Sequence, residues 1–194
     1  RGYADTVLSD KQHADYHNIV RQMLSYGSAA QQYFTYSTDT LADKGIVNSA
    51  QRTVPQGQIQ DIQVIGKAKG VSFYGTSMVF LDKIALYFYF NGGEDVTFCL
   101  NGTACSPEKT DTGCRIMVPD INLQDLDEKV TVTATDSEGN TITVIYSPMN
   151  YIVRMYKKDK AELKPLLLAL YNYHLEAIAY QTYLDNQPVE PDVP

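Results

Sequence analysis

Hydrophobic periodicity changes twice along this chain, and that restricts the folds open to it. From residue 10 to 36, Tyr16, Ile19, Val20, Met23, Tyr26 and Gly27 recur at three- and four-residue steps, continued by Ala30, Tyr33 and Phe34. Such spacing draws one stripe along an α-helix. From about Ile62 the repeat shortens to two, the period of a pleated strand. After Tyr146 the longer repeat returns. Its stripe takes in Leu163, Leu166, Leu167, Leu170, Tyr173 and His174, then Ala177, Tyr180 and Leu184. Helix, many strands, helix: the pattern predicts an α+β fold.

The first helix is expected to open near residue 10, where Ser9-Asp10-Lys11-Gln12 has the form of a capping box, and to end by Tyr36. Asp39 then caps a one-turn helix through Leu41 and Lys44, stopped by Gly45. Residues 46–60 include Val54-Pro55-Gln56-Gly57 and few apolar positions, so they read as a connector. At the far end, Ser147-Pro148 supplies an N-cap and a proline for a short helix through Tyr151, Ile152 and Met155. The last helix is expected over 160–185, with Pro165 in its first turn or kinking it.

Between these helices the strands are short. Ile62, Val64 and Ala68 alternate with polar residues, and Val71 to Phe80 follows, broken around Gly75. Ile84-Ala85-Leu86-Tyr87-Phe88-Tyr89-Phe90 is apolar on both faces, which predicts a central strand covered on each side. Asn91-Gly92-Gly93 and Asn101-Gly102 mark turns. Val130, Val132 and Ala134 alternate with threonines, Asp136 to Asn140 reverses the chain, and Ile142, Val144 and Tyr146 return antiparallel. Six to eight strands at about ten-residue spacing fit an antiparallel β-sandwich of immunoglobulin-like type.

Charge narrows the partners. The net charge is −7, so nothing here neutralises a phosphate backbone or an anionic membrane. With 44% hydrophobic and 20% charged residues the chain is globular in composition. No apolar run reaches the roughly 18 residues that a membrane span needs. Cys99, Cys105 and Cys114 form an odd set: Cys105 and Cys114 suit one small loop, or all three are buried thiols.

Few residues suggest chemistry. His13 and His17 lie one helical turn apart, a two-His metal spacing, but Ala14 stands where a metalloprotease needs its glutamate. The expected reading is a solvated helix face. His174 on an apolar stripe reads as a satisfied histidine rather than a base. Acidic loops at Asp120 to Glu128 and Asp136 to Asn140 lack the register of a helix-loop-helix calcium site, and solvated loop charge is the expectation. No cofactor or metal is expected. The aromatic content says more: 15 Tyr, 6 Phe and no Trp. Tyr87 and Tyr89 alternate with Phe88 and Phe90, so they share one face. That face is either a platform for a sugar ring or an inner surface under the helical layer.

One stretch resembles a known module. Leu24-Ser25-Tyr26-Gly27-Ser28-Ala29-Ala30-Gln31-Gln32-Tyr33-Phe34-Thr35-Tyr36, followed by Asp39, Leu41 and Ala42, is similar to a helical unit flanking an immunoglobulin-like sandwich in large secreted proteins of Gram-positive anaerobic gut bacteria. The likeness covers residues 1–45 and, more loosely, 142–185. The second copy departs from it, with His174 at the glycine place and Glu176 and Ile178 replacing Ala and Gln. It implies a secreted or surface setting and no activity.

The expected layout is an N-terminal helical segment and connector over 1–60, a β-sandwich over 61–147, and C-terminal helices over 148–185 packing with 10–36. The Pro-rich acidic end, 186–194, reads as a linker. Gly27, Ala30 and Ala177 are expected to set close contact between the helices. The expected role is that of a non-catalytic spacer or adhesion module whose partners are neighbouring domains, a glycan or a surface protein. A carbohydrate-binding module using Tyr87 and Tyr89, and an enzyme of unknown reaction, are the rival expectations.

Overall fold

In the computed structural model, residues 14–37, 39, 52–55, 61–80, 83–158 and 160–186 are described. The capping box at 9–12, His13, the one-turn helix over 40–45, the connector at 46–51 and 56–60 and the tail from 187 lie outside them. The described residues form three α-helices and two antiparallel sheets, an α+β fold. The chain divides into two compact units, Arg1–Val54 with Asp159–Pro194, and Pro55–Lys158. The boundary expected at 148 falls instead after Lys158, because the short helix that follows the last strand belongs with the strands.

That second unit contains β1 (Gln63–Gly66), β2 (Val71–Phe80), β3 (Ile84–Gly92), β4 (Thr97–Leu100) and β5 (Thr103–Cys105). It continues through β6 (Glu108–Thr110), β7 (Gly113–Val118), β8 (Val130–Thr135), β9 (Thr141–Tyr146) and α2 (Pro148–Lys157). One sheet runs β2-β3-β7-β6 and the other β1-β9-β8-β4-β5. In each, two hairpins are joined by a pair distant in sequence, β3 with β7 and β4 with β8. This is immunoglobulin-like connectivity, with β2 in the place of the first strand and β1 added at the edge of the second sheet.

The core is aromatic. Phe88, Phe90, Phe98 and Ile116 are buried, and the Phe90 ring meets Phe98 of the other sheet edge-on at 5.3 Å between centroids. No disulfide joins the sheets, since Cys99, Cys105 and Cys114 are free thiols. Burial pushes the Cys105 and Cys114 thiols up, Cys105 further through Cys99, so both stay protonated and inert near neutral pH. The β8–β9 hairpin has the alternation read from the sequence: Val132 pairs with Val144 and Ala134 with Ile142, all buried. The Asn101-Gly102 turn joins β4 to β5 with φ of 49° and 82°, the left-handed pair that a tight hairpin requires. Ser147 caps α2, its Oγ accepting from the Asn150 N–H at 3.1 Å.

In the first unit, α1 (Ala14–Tyr33) and α3 (Lys164–Asp185) pack antiparallel: Tyr16 meets Tyr180 at 5.9 Å and Tyr26 meets Tyr173 at 6.0 Å. The Tyr26 hydroxyl is pushed up to about 12 by burial and by Tyr173. Pro165 lies in the first turn of α3, where its missing N–H costs no helical bond.

Two expectations for these helices are corrected. The buried positions of α1 are Gln22, Ser25 and Ser28, while Tyr16, Met23 and Leu24 are exposed. A side chain at Gly27 would meet no atom within 4 Å, so Gly27 does not set a close contact, although Ala177 is buried. Serine is as small as the alanines invoked and satisfies its hydroxyl locally, as when Ser28 Oγ accepts from Gln32 Nε2 at 3.2 Å. Tyrosines have the length to reach their partners from the flanks. On α3, Leu166, Leu167, Leu170 and His174 are buried as expected, but Leu184 is exposed.

Candidate functional site

Strand β3 sorts its aromatics by the two-residue period. Leu86, Phe88 and Phe90 face the core and are fully buried, while Tyr87 and Tyr89 take the opposite face. The expectation that β3 is covered on both sides is therefore corrected: its pairing is central, but the tyrosine face is only half covered. Apolar pattern does not reveal this, because a tyrosine ring serves equally in a core and on a surface where its hydroxyl is met.

The sheet register gathers partners around these two rings. Tyr89 lies opposite Gly75 on β2 and Arg115 on β7, and Tyr87 opposite Ser77 and Met117. The register shifts between Phe73 and Gly75, so Tyr74 is a bulge residue. The bulge swings the half-exposed Tyr74 ring to 5.7 Å from Tyr89, with planes 46° apart. Tyr89 and Tyr87 are 6.3 Å apart and inclined at 31°. The three rings form a twisted row across one sheet face.

Polar groups fix the row. Tyr89 Oη and Ser77 Oγ lie 2.8 Å apart in a hydrogen bond, and the Tyr87 hydroxyl donates to Met117 Sδ at 3.2 Å. The Arg115 guanidinium sits over the Tyr87 ring at 4.5 Å and its Nε donates to Glu108 Oε2 at 2.7 Å. That hydrogen bond is the main cause that raises the Arg115 pKa, so the guanidinium keeps its charge. Stacking plates beside a neutralised ion pair suit reversible binding of a ligand with an apolar face and a polar rim. Sequence reasoning found Tyr87 and Tyr89 and missed Tyr74, Arg115, Met117 and Glu108. Gly75 inside a strand pattern was the available signal, because such a glycine often marks a bulge.

The other sequence candidates fall elsewhere. His17 is on α1 and His174 is buried on α3. Among the described residues no three His, Cys, Asp or Glu side chains gather as metal ligands, and no helix is long and apolar enough to cross a membrane. Asp120 pairs with Lys83 at 2.7 Å.

Asp136 is occupied within the fold. Its carboxylate accepts from the Lys69 N–H at 2.7 Å, the Glu138 N–H at 3.0 Å and the Asn140 N–H at 2.9 Å, and from the Asn140 side chain. These bonds, the Lys69 amide foremost, hold its pKa below the usual carboxylate value. A depressed carboxyl contributes stability that is fully present above its unfolded value, about 3.9, and is lost as pH falls through the folded one. Acidification below about pH 4 is thus expected to weaken the sandwich. Asp136→Asn should flatten that acid limb in thermal melts, and an unchanged limb would contradict this role.

Comparison with family models, with curated proteins and with solved structures found no match for this chain.

Proposed function

We propose that this chain is a non-catalytic module of a larger secreted or cell-surface bacterial protein, acting in spacing, presentation or adhesion. The observation that carries this reading is the open tyrosine face of the β2-β3-β7-β6 sheet, whose rings and neutral ion pair are equipped to hold a ligand. The resemblance of Tyr26 to Phe34 to a helical unit beside an immunoglobulin-like sandwich supports the setting. Its partners are then the neighbouring domains of its own polypeptide and a surface ligand. Carbohydrate binding is the second reading, favoured by the same rings.

A combined glycan and surface-protein array tests the proposal. The chain is expected to be retained by at least one ligand, with retention lost when Tyr74, Tyr87 and Tyr89 are all replaced by serine. Turnover of an arrayed substrate, or retention that ignores the triple replacement, would overturn it.

A further inference from the structure

We infer that Tyr74 and Tyr89, and not Tyr87, form a stacking subsite for one ring of a neutral saccharide, with Arg115 and Glu108 as its polar rim. This rests on the binding reading above and deepens it. Tyr74 is 51% exposed, and its ring plane is inclined at 46° to that of Tyr89, with centroids 5.7 Å apart. The strand residue opposite Tyr89 is Gly75, where an added Cβ would meet no atom within 4 Å apart from its chain neighbours Tyr74 and Thr76. A glycine at this position places no side chain of its own beside the Tyr89 ring. Tyr87 is already engaged: Arg115 covers its ring and Met117 Sδ accepts a hydrogen bond from its hydroxyl.

Charge decides the class of ligand. Arg115 and Glu108 neutralise each other, and the chain as a whole carries −7, which disfavours sulfated or uronic polymers. A neutral sugar ring matches what remains. Its C–H face stacks on a phenol plate, and its hydroxyls find both a donor and an acceptor at the rim. A proline-rich peptide also stacks on tyrosines, but it offers chiefly carbonyl acceptors and adds few donors to the one that Arg115 already gives Glu108.

Calorimetric titration of the whole chain with neutral hexose and pentose oligosaccharides, an acidic saccharide and a proline-rich peptide tests the inference. Binding of a neutral oligosaccharide is expected. Affinity should fall about tenfold in Tyr74→Ala and in Tyr89→Ala, the scale of one aromatic stacking contact, while Tyr89→Phe, which keeps the ring, retains it. Thermal melts confirm that each variant folds, and Tyr74→Ala, at the half-exposed bulge position, carries the test if Tyr89→Ala does not fold. The inference is overturned if no neutral oligosaccharide binds, if binding survives Tyr74→Ala, or if the acidic saccharide or peptide binds instead. A chain that ignores sugars yet holds an arrayed surface protein through the tyrosine face refutes the saccharide subsite and leaves the adhesive reading standing.

Discussion

Asn172→Leu is expected to destabilise the helical unit by about 3 kcal/mol, although it replaces a polar residue with an apolar one of similar size. Asn172 is 3% exposed on α3. Its Oδ1 accepts from the Arg52 backbone N–H at 2.7 Å, and its Nδ2 donates to the Arg52 carbonyl at 2.9 Å. Nδ2 also donates to the Leu168 carbonyl at 2.9 Å. One side-chain amide thus reproduces the pairing of a neighbouring strand and ties the segment before Val54 to the helix. Leucine would strand a backbone donor and acceptor, each costing about 1–3 kcal/mol when buried unmet.

Arg52→Ala is the control. Its side chain is 57% exposed and pairs with Glu176 at 3.0 Å, a contact whose loss should cost less than about 1 kcal/mol. Urea unfolding followed by far-UV circular dichroism separates the two. Equal midpoints for wild type and Asn172→Leu would show that the clamp contributes nothing.

Phe98→Ala should cost the sandwich about 3–5 kcal/mol, the range for removing a buried aromatic ring. Phe98 is 2% exposed, and its contact with Phe90 spans the two sheets where no disulfide does. With no covalent link to hold the sheets, ring burial carries this junction. Chemical denaturation of the variant should show a lowered midpoint, and Cys99→Ser, on the neighbouring half-buried position, a much smaller change. Comparable losses in both would mean that the thiol region, not the ring, holds the sheets together.

Much of the β-unit was legible because local and tertiary demands agree there. Val130 to Thr135 and Thr141 to Val144 alternate apolar with polar residues, Asn101-Gly102 suits a tight hairpin, and Ser147-Pro148 suits a helix start. The helices were legible in extent but not in facing. Their stripe is rich in tyrosine, which tolerates both water and burial, so period alone put Tyr16 and Met23 on the wrong side of Ser25 and Ser28. The site was half legible. Tyr87 and Tyr89 are adjacent in one strand pattern, whereas Arg115 and Glu108 reach them only through pairing of strands distant in sequence.

The sequence by itself therefore determined the α+β class, the strand-bearing middle, the turn positions and the alternation that turns Tyr87 and Tyr89 out together, since each depends on backbone preference and local period. Tertiary structure alone decided which helix face is buried, that the three thiols remain free, and that a bulge brings Tyr74 beside Tyr89 while Arg115 closes over Tyr87. Those outcomes depend on strand register and on contacts between residues far apart in the chain, which no local pattern encodes.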